Sequence, residues 1–189
     1  MSTTTELPTE PPEVTELAER LDELEAQLAE FADEQDQLPK MDIIAIHGTL
    51  DMAYPTLILS SVAAAFDWDV TVFASFWALD LLHEEKSKRL KISALGNPAI
   101  PMPNLLAVLP GGDRLATAMM RRQIAGIGTE TVDQLIRRAM DAGVRFQACG
   151  MAMELMGYEP EDFIEGVETD VGAGTALLDM ADSDIQLVI

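Results

Sequence analysis

From Asp42 onward, short apolar runs of strand length alternate with longer stretches whose apolar residues recur at helical spacing. That alternation constrains the chain more than any other feature. Parallel neighbours cannot be joined by a tight hairpin, so each needs a crossover, usually a helix, and strands covered on both faces read as continuous apolar runs. The expected fold is α/β: a three-layer α/β/α sandwich around a parallel sheet of four to five strands. Asp42–His47 (DIIAIH), Asp69–Ser75 (DVTVFAS), Val144–Ala148 (VRFQA) and Asp184–Ile189 read as strands, Gly166–Glu168 as strand-like, and Leu105–Leu109 as a short apolar run. Helices are expected over residues 51–66, 76–91, 112–127, 131–142, 151–156 and 174–180, with a shorter one near 161–164. Gly96–Pro103 holds three prolines and reads as loop.

What precedes this domain, assigned to residues 40–189, has a different pattern. Residues 1–12 are rich in Thr, Glu and Pro without periodicity and are expected to be disordered. Over residues 13–38, Val14, Leu17, Leu21, Leu24, Leu28 and Phe31 fall on an a/d heptad seam, with Arg20 at g and Glu25 at the following e. Two readings follow. The helix pairs between chains and contributes to a homo-oligomer, a dimer, trimer or multiple of these; or it is amphipathic and packs on its own domain, because so short a helix is marginal alone.

Charge narrows the range of partners. The chain carries 33 acidic against 12 basic residues, a formal charge of −21. It would repel a phosphate backbone and an anionic lipid surface, so nucleic acid is excluded as a partner class. The acidity is diffuse: residues 1–39 hold 12 acids against Arg20 alone, and 40–189 hold 21 against 11 bases. Such a surface suits a salt-rich, halophilic cytoplasm, where screening removes most self-repulsion. The N-terminus has neither the basic nor the apolar region of a secretory signal, and the longest apolar stretch, Leu57–Phe66, is far shorter than the roughly 20 residues of a membrane span. A cytoplasmic protein without a span is expected.

Chemistry then centres on Cys149, the one cysteine. It excludes an internal disulfide, a CxxC cycle and a four-thiolate metal site. In an open parallel sheet, chemistry gathers beyond the carboxyl ends of the strands, where Cys149 ends VRFQA just before a helix whose amide groups favour a thiolate. Its other reading is a small buried hydrophobe. His47 also ends a strand and reads either as a turn residue or as a base; His83, in the charged run HEEKSKRLK, reads as solvated. Gly150, Met151 and Met153 follow the cysteine, and Phe76 and Trp77 follow the second strand. With Met102 they are candidates for a soft, apolar pocket wall, or for simple core packing. No metal-ligand spacing and no phosphate loop or dinucleotide fingerprint occurs, so neither metal nor organic cofactor is expected.

Three stretches give these residues a wider context: GTLDMAYPTLILSSVAAAFDWDVTVFASFWALDLL, the MPN of Met102–Asn104, and GVRFQACGMAMELMGYEPEDFIEGVE from Gly143 to Glu168. In them the chain resembles the DsrE/DsrF/DsrH-like family, in particular its DsrE-related sulfurtransferase, or peroxiredoxin-like, branch. The last stretch is similar to the family's cysteine motif, a strand ending in Ala-Cys followed by a methionine-containing helix. The resemblance implies a parallel α/β/α fold, homo-oligomers, and a cysteine, here Cys149, that accepts sulfane sulfur from a donor protein and passes it to an acceptor. The acidic heptad arm lies outside the family pattern, and no threonine-rich peroxidatic motif accompanies the cysteine. A sulfur carrier or sulfurtransferase is the expected function; an oligomeric protein-binding scaffold and a thiol redox sensor are the alternatives.

Overall fold

The computed structural model describes residues 16–17, 19–27, 38–93 and 112–189. The chain divides between Leu38 and Pro39 into two units. In the first, the described residues 16–17 and 19–27 are helical.

The second unit is built on five parallel strands: β1 (Lys40–Ala45), β2 (Asp69–Ala74), β3 (Arg145–Cys149), β4 (Glu168–Val171) and β5 (Ile185–Val188), in the order β4-β3-β2-β1-β5. Between them run α1 (Leu50–Ala64), a single helical turn α2 (Leu79–Leu82), α3 (Gly112–Gly126), α4 (Val132–Asp141), α5 (Gly150–Met156) and α6 (Ala173–Ala181). The α/β architecture with a five-stranded parallel sheet is as the alternating pattern predicts. Ile43, Val72 and Phe146 lie side by side across three strands and are essentially inaccessible, as are Ala45, Ala74 and Ala148 one step further along. Because side chains alternate, both rows occupy one face of the sheet. Helix α1 lies over β1 and β2 and packs on α4.

The ends of α4 are fixed by local chemistry. Thr131 and Gln134 form a capping box, with the Thr131 amide donating to Gln134 Oε1 at 3.1 Å. At the other end Gly143, at φ 97°, turns the chain so that Val144 donates back to Ala139 and β3 begins at once.

Four elements differ from the sequence reading: β1 lies at Lys40–Ala45, two residues before Asp42–His47, and the short helix expected near 161–164 is a 3-10 turn, Pro160–Asp162. The helix expected over 76–91 is a 3-10 turn (Phe76–Ala78), then α2, then a second 3-10 turn (Ser87–Arg89). Its backbone groups are captured elsewhere: Ile164 donates to Leu82, Glu84 donates to Asp162, and His83 pairs antiparallel with Phe163. The strand-like segment after Gly166 lies at Glu168–Val171, two residues later than expected. The apolar run Leu105–Leu109 lies outside the described residues.

Candidate functional site

Strand β3 lies inside the sheet, between β2 and β4, and its last residue is Cys149. Helix α5 begins at the next residue with no intervening loop, because Cys149 keeps an extended backbone (φ −64°, ψ 116°) while Gly150 is already helical. Cys149 is 6% exposed and its thiol makes no helix-capping bond. Two residues earlier on the same face, buried Gln147 donates from Nε2 to Glu168 Oε2 at 3.0 Å, while its Oε1 has no partner among the described residues.

The neighbouring strand approaches Cys149 closely. The β3–β4 register is interrupted between Gln147 and Cys149, and Cys149 then pairs with Val171. Asp170, in the left-handed region at φ 59°, carries the extra residue of that irregularity. A Cβ on Gly150 would lie 2.2 Å from Asp170 Oδ1 and 3.1 Å from its Cα, so a side chain there must displace the Asp170 carboxylate and crowd its backbone. Met153 is buried and its sulfur accepts from the Asp170 amide at 3.4 Å, whereas Met151 is 77% exposed. The two methionines thus divide between core and rim.

Strand β2 supplies the other wall. Ser75 donates to Ala45, and the chain then turns sharply at Phe76, whose φ of 48° is again left-handed. Phe76 and Trp77 stack at 5.8 Å with 28° between their planes, both exposed, on the 3-10 turn that touches α5. Behind them Gly48 is pressed onto the turn: a Cβ there would sit 1.8 Å from the Trp77 carbonyl oxygen.

This strand-to-helix cysteine lies within a stretch, residues 37–188, that matches the DsrE/DsrF/DrsH-like family. The chain belongs to that family. It is 38% identical to the sulfur carrier protein DsrE2 of Allochromatium vinosum over 158 residues, covering 79% of this chain and 98% of the relative. It is 27% identical to the uncharacterized protein YrkE of Bacillus subtilis over 167 residues, 82% of this chain and 99% of the relative. Among solved structures it is similar to the ychN protein of E. coli, with a TM-score of 0.47 at 12% identity, covering 80% of this chain and all of that one.

Of the residues singled out in the sequence, Cys149, Gly150, Met151, Met153, Phe76 and Trp77 lie on this family member's β2–β3 edge. His47 is exposed, two residues beyond the end of β1, a strand that β2 separates from β3. Met102 lies outside the described residues. His83 is not solvated as expected: it is half-buried, edge-on to Tyr158 at 5.3 Å and tilted against Phe163, and its Nδ1 accepts from the Glu85 amide.

Periodicity gave no signal for a second polar cluster on the same edge of the sheet. Lys86 donates to the Tyr158 hydroxyl, lies 3.9 Å from the centre of its ring and 3.5 Å from Asp80, and Tyr158 in turn donates to Asp80. Burial, then the bond to Asp80, pushes the Tyr158 phenol above its ordinary range. Beside it opens a cavity of about 330 Å³ lined by Gly48, Thr49, Asp80, Lys86 and Arg89, among others; Cys149 is not one of its walls. Among the described residues, no group of three or more His, Cys, Asp or Glu side chains is placed to hold a metal ion. No described helix is long and apolar enough to cross a membrane.

Proposed function

We propose that the chain is a sulfur carrier that holds sulfane sulfur on Cys149 and passes it between a donor and an acceptor protein. The observation that carries this reading is the placement of the chain's one cysteine: it ends an inner parallel strand, where such sheets gather chemistry, in a chain 38% identical to a named sulfur carrier. The Cys149 thiolate attacks the outer sulfur of a donor persulfide. The donor S–S bond breaks, a bond from Cys149 Sγ to that sulfur forms, and the donor leaves as a thiolate with the electron pair and the negative charge, while the transferred sulfur keeps its proton. Transfer to an acceptor thiolate is the same exchange in reverse. It is redox-neutral and needs neither metal nor organic cofactor. A reducing cytoplasm, which keeps a lone thiol free, suits it.

Incubation with a persulfide donor, followed by intact-mass measurement, tests the reading. An adduct of about 32 Da, one sulfur atom, is expected on the parent and none on Cys149→Ser. Retained uptake by the variant would sink the mechanism, since no second thiol exists. One observation favours a different class, an oligomeric binding module with an inert cysteine: Cys149 is 6% exposed. On that reading iodoacetamide labels Cys149 only after denaturation.

A further inference from the structure

The distribution of charge around Cys149 is one-sided. Residues 146–189 contain ten acidic side chains and no Lys or Arg. Two of the ten flank the end of the cysteine's strand, Asp170 against Gly150 and Glu168 bonded to Gln147, and a third, Glu154, lies on the helix that follows, α5. All three are exposed, and none forms an ion pair among the described residues. Seven bases, Lys86 on the same edge of the sheet among them, pair instead with Asp80, Glu84, Glu85, Glu130, Asp69 and Asp182. Inside this acidic border the surface is apolar. Met151 and Leu155, one helical turn apart on α5, are 77% and 70% exposed, and the Phe76–Trp77 stack adjoins the same helix.

An apolar centre with a charged rim is the anatomy of a protein interface, and uncompensated charge at a rim selects the partner by its sign. We infer that this edge is the docking face for a partner protein that presents an apolar patch flanked by Lys or Arg beside its own thiol or persulfide. The inference deepens the sulfur-carrier reading and rests on it for what the partner brings. A second copy of this chain docked face to face would set Glu154, Glu168 and Asp170 against their own equivalents, so self-association through this surface is disfavoured. A basic partner instead covers the apolar centre, neutralises the border and brings its sulfur to an otherwise buried thiol. The acidic border also disfavours approach by small anionic thiols such as glutathione, which restricts exchange to the docked protein.

The test uses the full chain and two thiol-free probe peptides, acetyl-Leu-Leu-Ser-Lys-Arg-Lys-amide and its acidic counterpart with Glu-Asp-Glu. The Trp77 indole and Met151 methyl signals are followed by NMR at low salt, assigned through Trp77→Phe and Met151→Leu. The basic peptide should shift both signals saturably and the acidic one neither. The triple variant Glu154→Gln, Glu168→Gln, Asp170→Asn should weaken the basic peptide by at least about fivefold. Glu154→Lys, on an exposed helical position where folding is not at stake, should weaken it too. Equal shifts from both peptides, or shifts confined to other signals, overturn the inference. So does a concentration-dependent rise in mass that Met151→Lys abolishes, which would make a second copy the occupant. Because neither probe has a thiol, the outcomes separate: binding without sulfur uptake removes the carrier reading and keeps the docking face, and uptake without charge preference does the reverse.

Discussion

Two glycines have the least freedom of any residues near Cys149. At Gly48 the obstacle to a side chain is a backbone carbonyl, at 1.8 Å; at Gly150 it is first the movable Asp170 carboxylate, at 2.2 Å, and only then backbone at 3.1 Å. At Gly150, the first residue of α5, alanine is intrinsically favoured over glycine by up to about 1 kcal/mol, whereas Gly48 lies before α1 and has no such gain. Overpacking of about 1–3 kcal/mol opposes and exceeds that gain. Gly150→Ala should therefore lose about 1–2 kcal/mol in urea unfolding, and Gly48→Ala more, because the Trp77 turn cannot swing aside as a carboxylate can. Equal losses, or a gain at Gly150, would show that β4 yields freely. Cys149 and Gly150 were legible in the sequence as neighbours at a strand-to-helix switch. Asp170 and Gln147 were not, because their importance arises across a strand pairing of about twenty residues' separation that no local pattern encodes.

Among the elements, those with one clear period were read correctly and those whose backbone bonds elsewhere were not. Strand β2 and helix α4 match the reading to within a residue or two, since β2 is a continuous run buried on both faces and α4 buries one stripe. The stretch 76–91 has helical spacing and strong helix formers at its end, yet Leu82 and Glu84 bond to the segment 162–164, some eighty residues away. Tertiary pairing overrode propensity there. Helix α1 is apolar on every side, and its outward Ile58, Leu59 and Val62 remain 44–49% exposed. A helix apolar all round is normally covered. We propose that assembly into a homo-oligomer covers this stripe, with the heptad arm as a second contact. Deleting residues 1–38 should lower the number of chains per particle measured by light scattering, and adding Leu59→Lys and Val62→Lys to the shortened chain should reduce it to a monomer. A chain number unchanged by the deletion would show that the arm does not join chains; one unmoved by the lysines would remove α1 from the interface.

Across the whole molecule the balance is between many unpaired acids and few, clustered bases. Of the 12 basic residues, Lys86, Lys88 and Arg89 lie within four positions of one another and Arg137 reaches Glu84 from α4, so attraction is concentrated in one patch. These pairs are largely exposed, so each contributes little, and salt diminishes that contribution only slightly in absolute terms. Repulsion among the remaining carboxylates acts over the whole surface, and its range falls from a Debye length of about 30 Å at 0.01 M to about 3 Å at 1 M. The second effect should win, so the thermal midpoint should rise by several degrees between those concentrations of NaCl. The shape of the rise matters as much as its size. Screening of a −21 surface is nearly complete once the Debye length falls below the spacing of surface charges, so most of the gain should come below about 0.2 M. A steady climb that continues to molar salt would instead reflect exclusion of salt from apolar surface. A midpoint that stays flat or falls would mean that the carboxylates already lie too far apart to repel, and adaptation to a salt-rich cytoplasm would lose its physical basis.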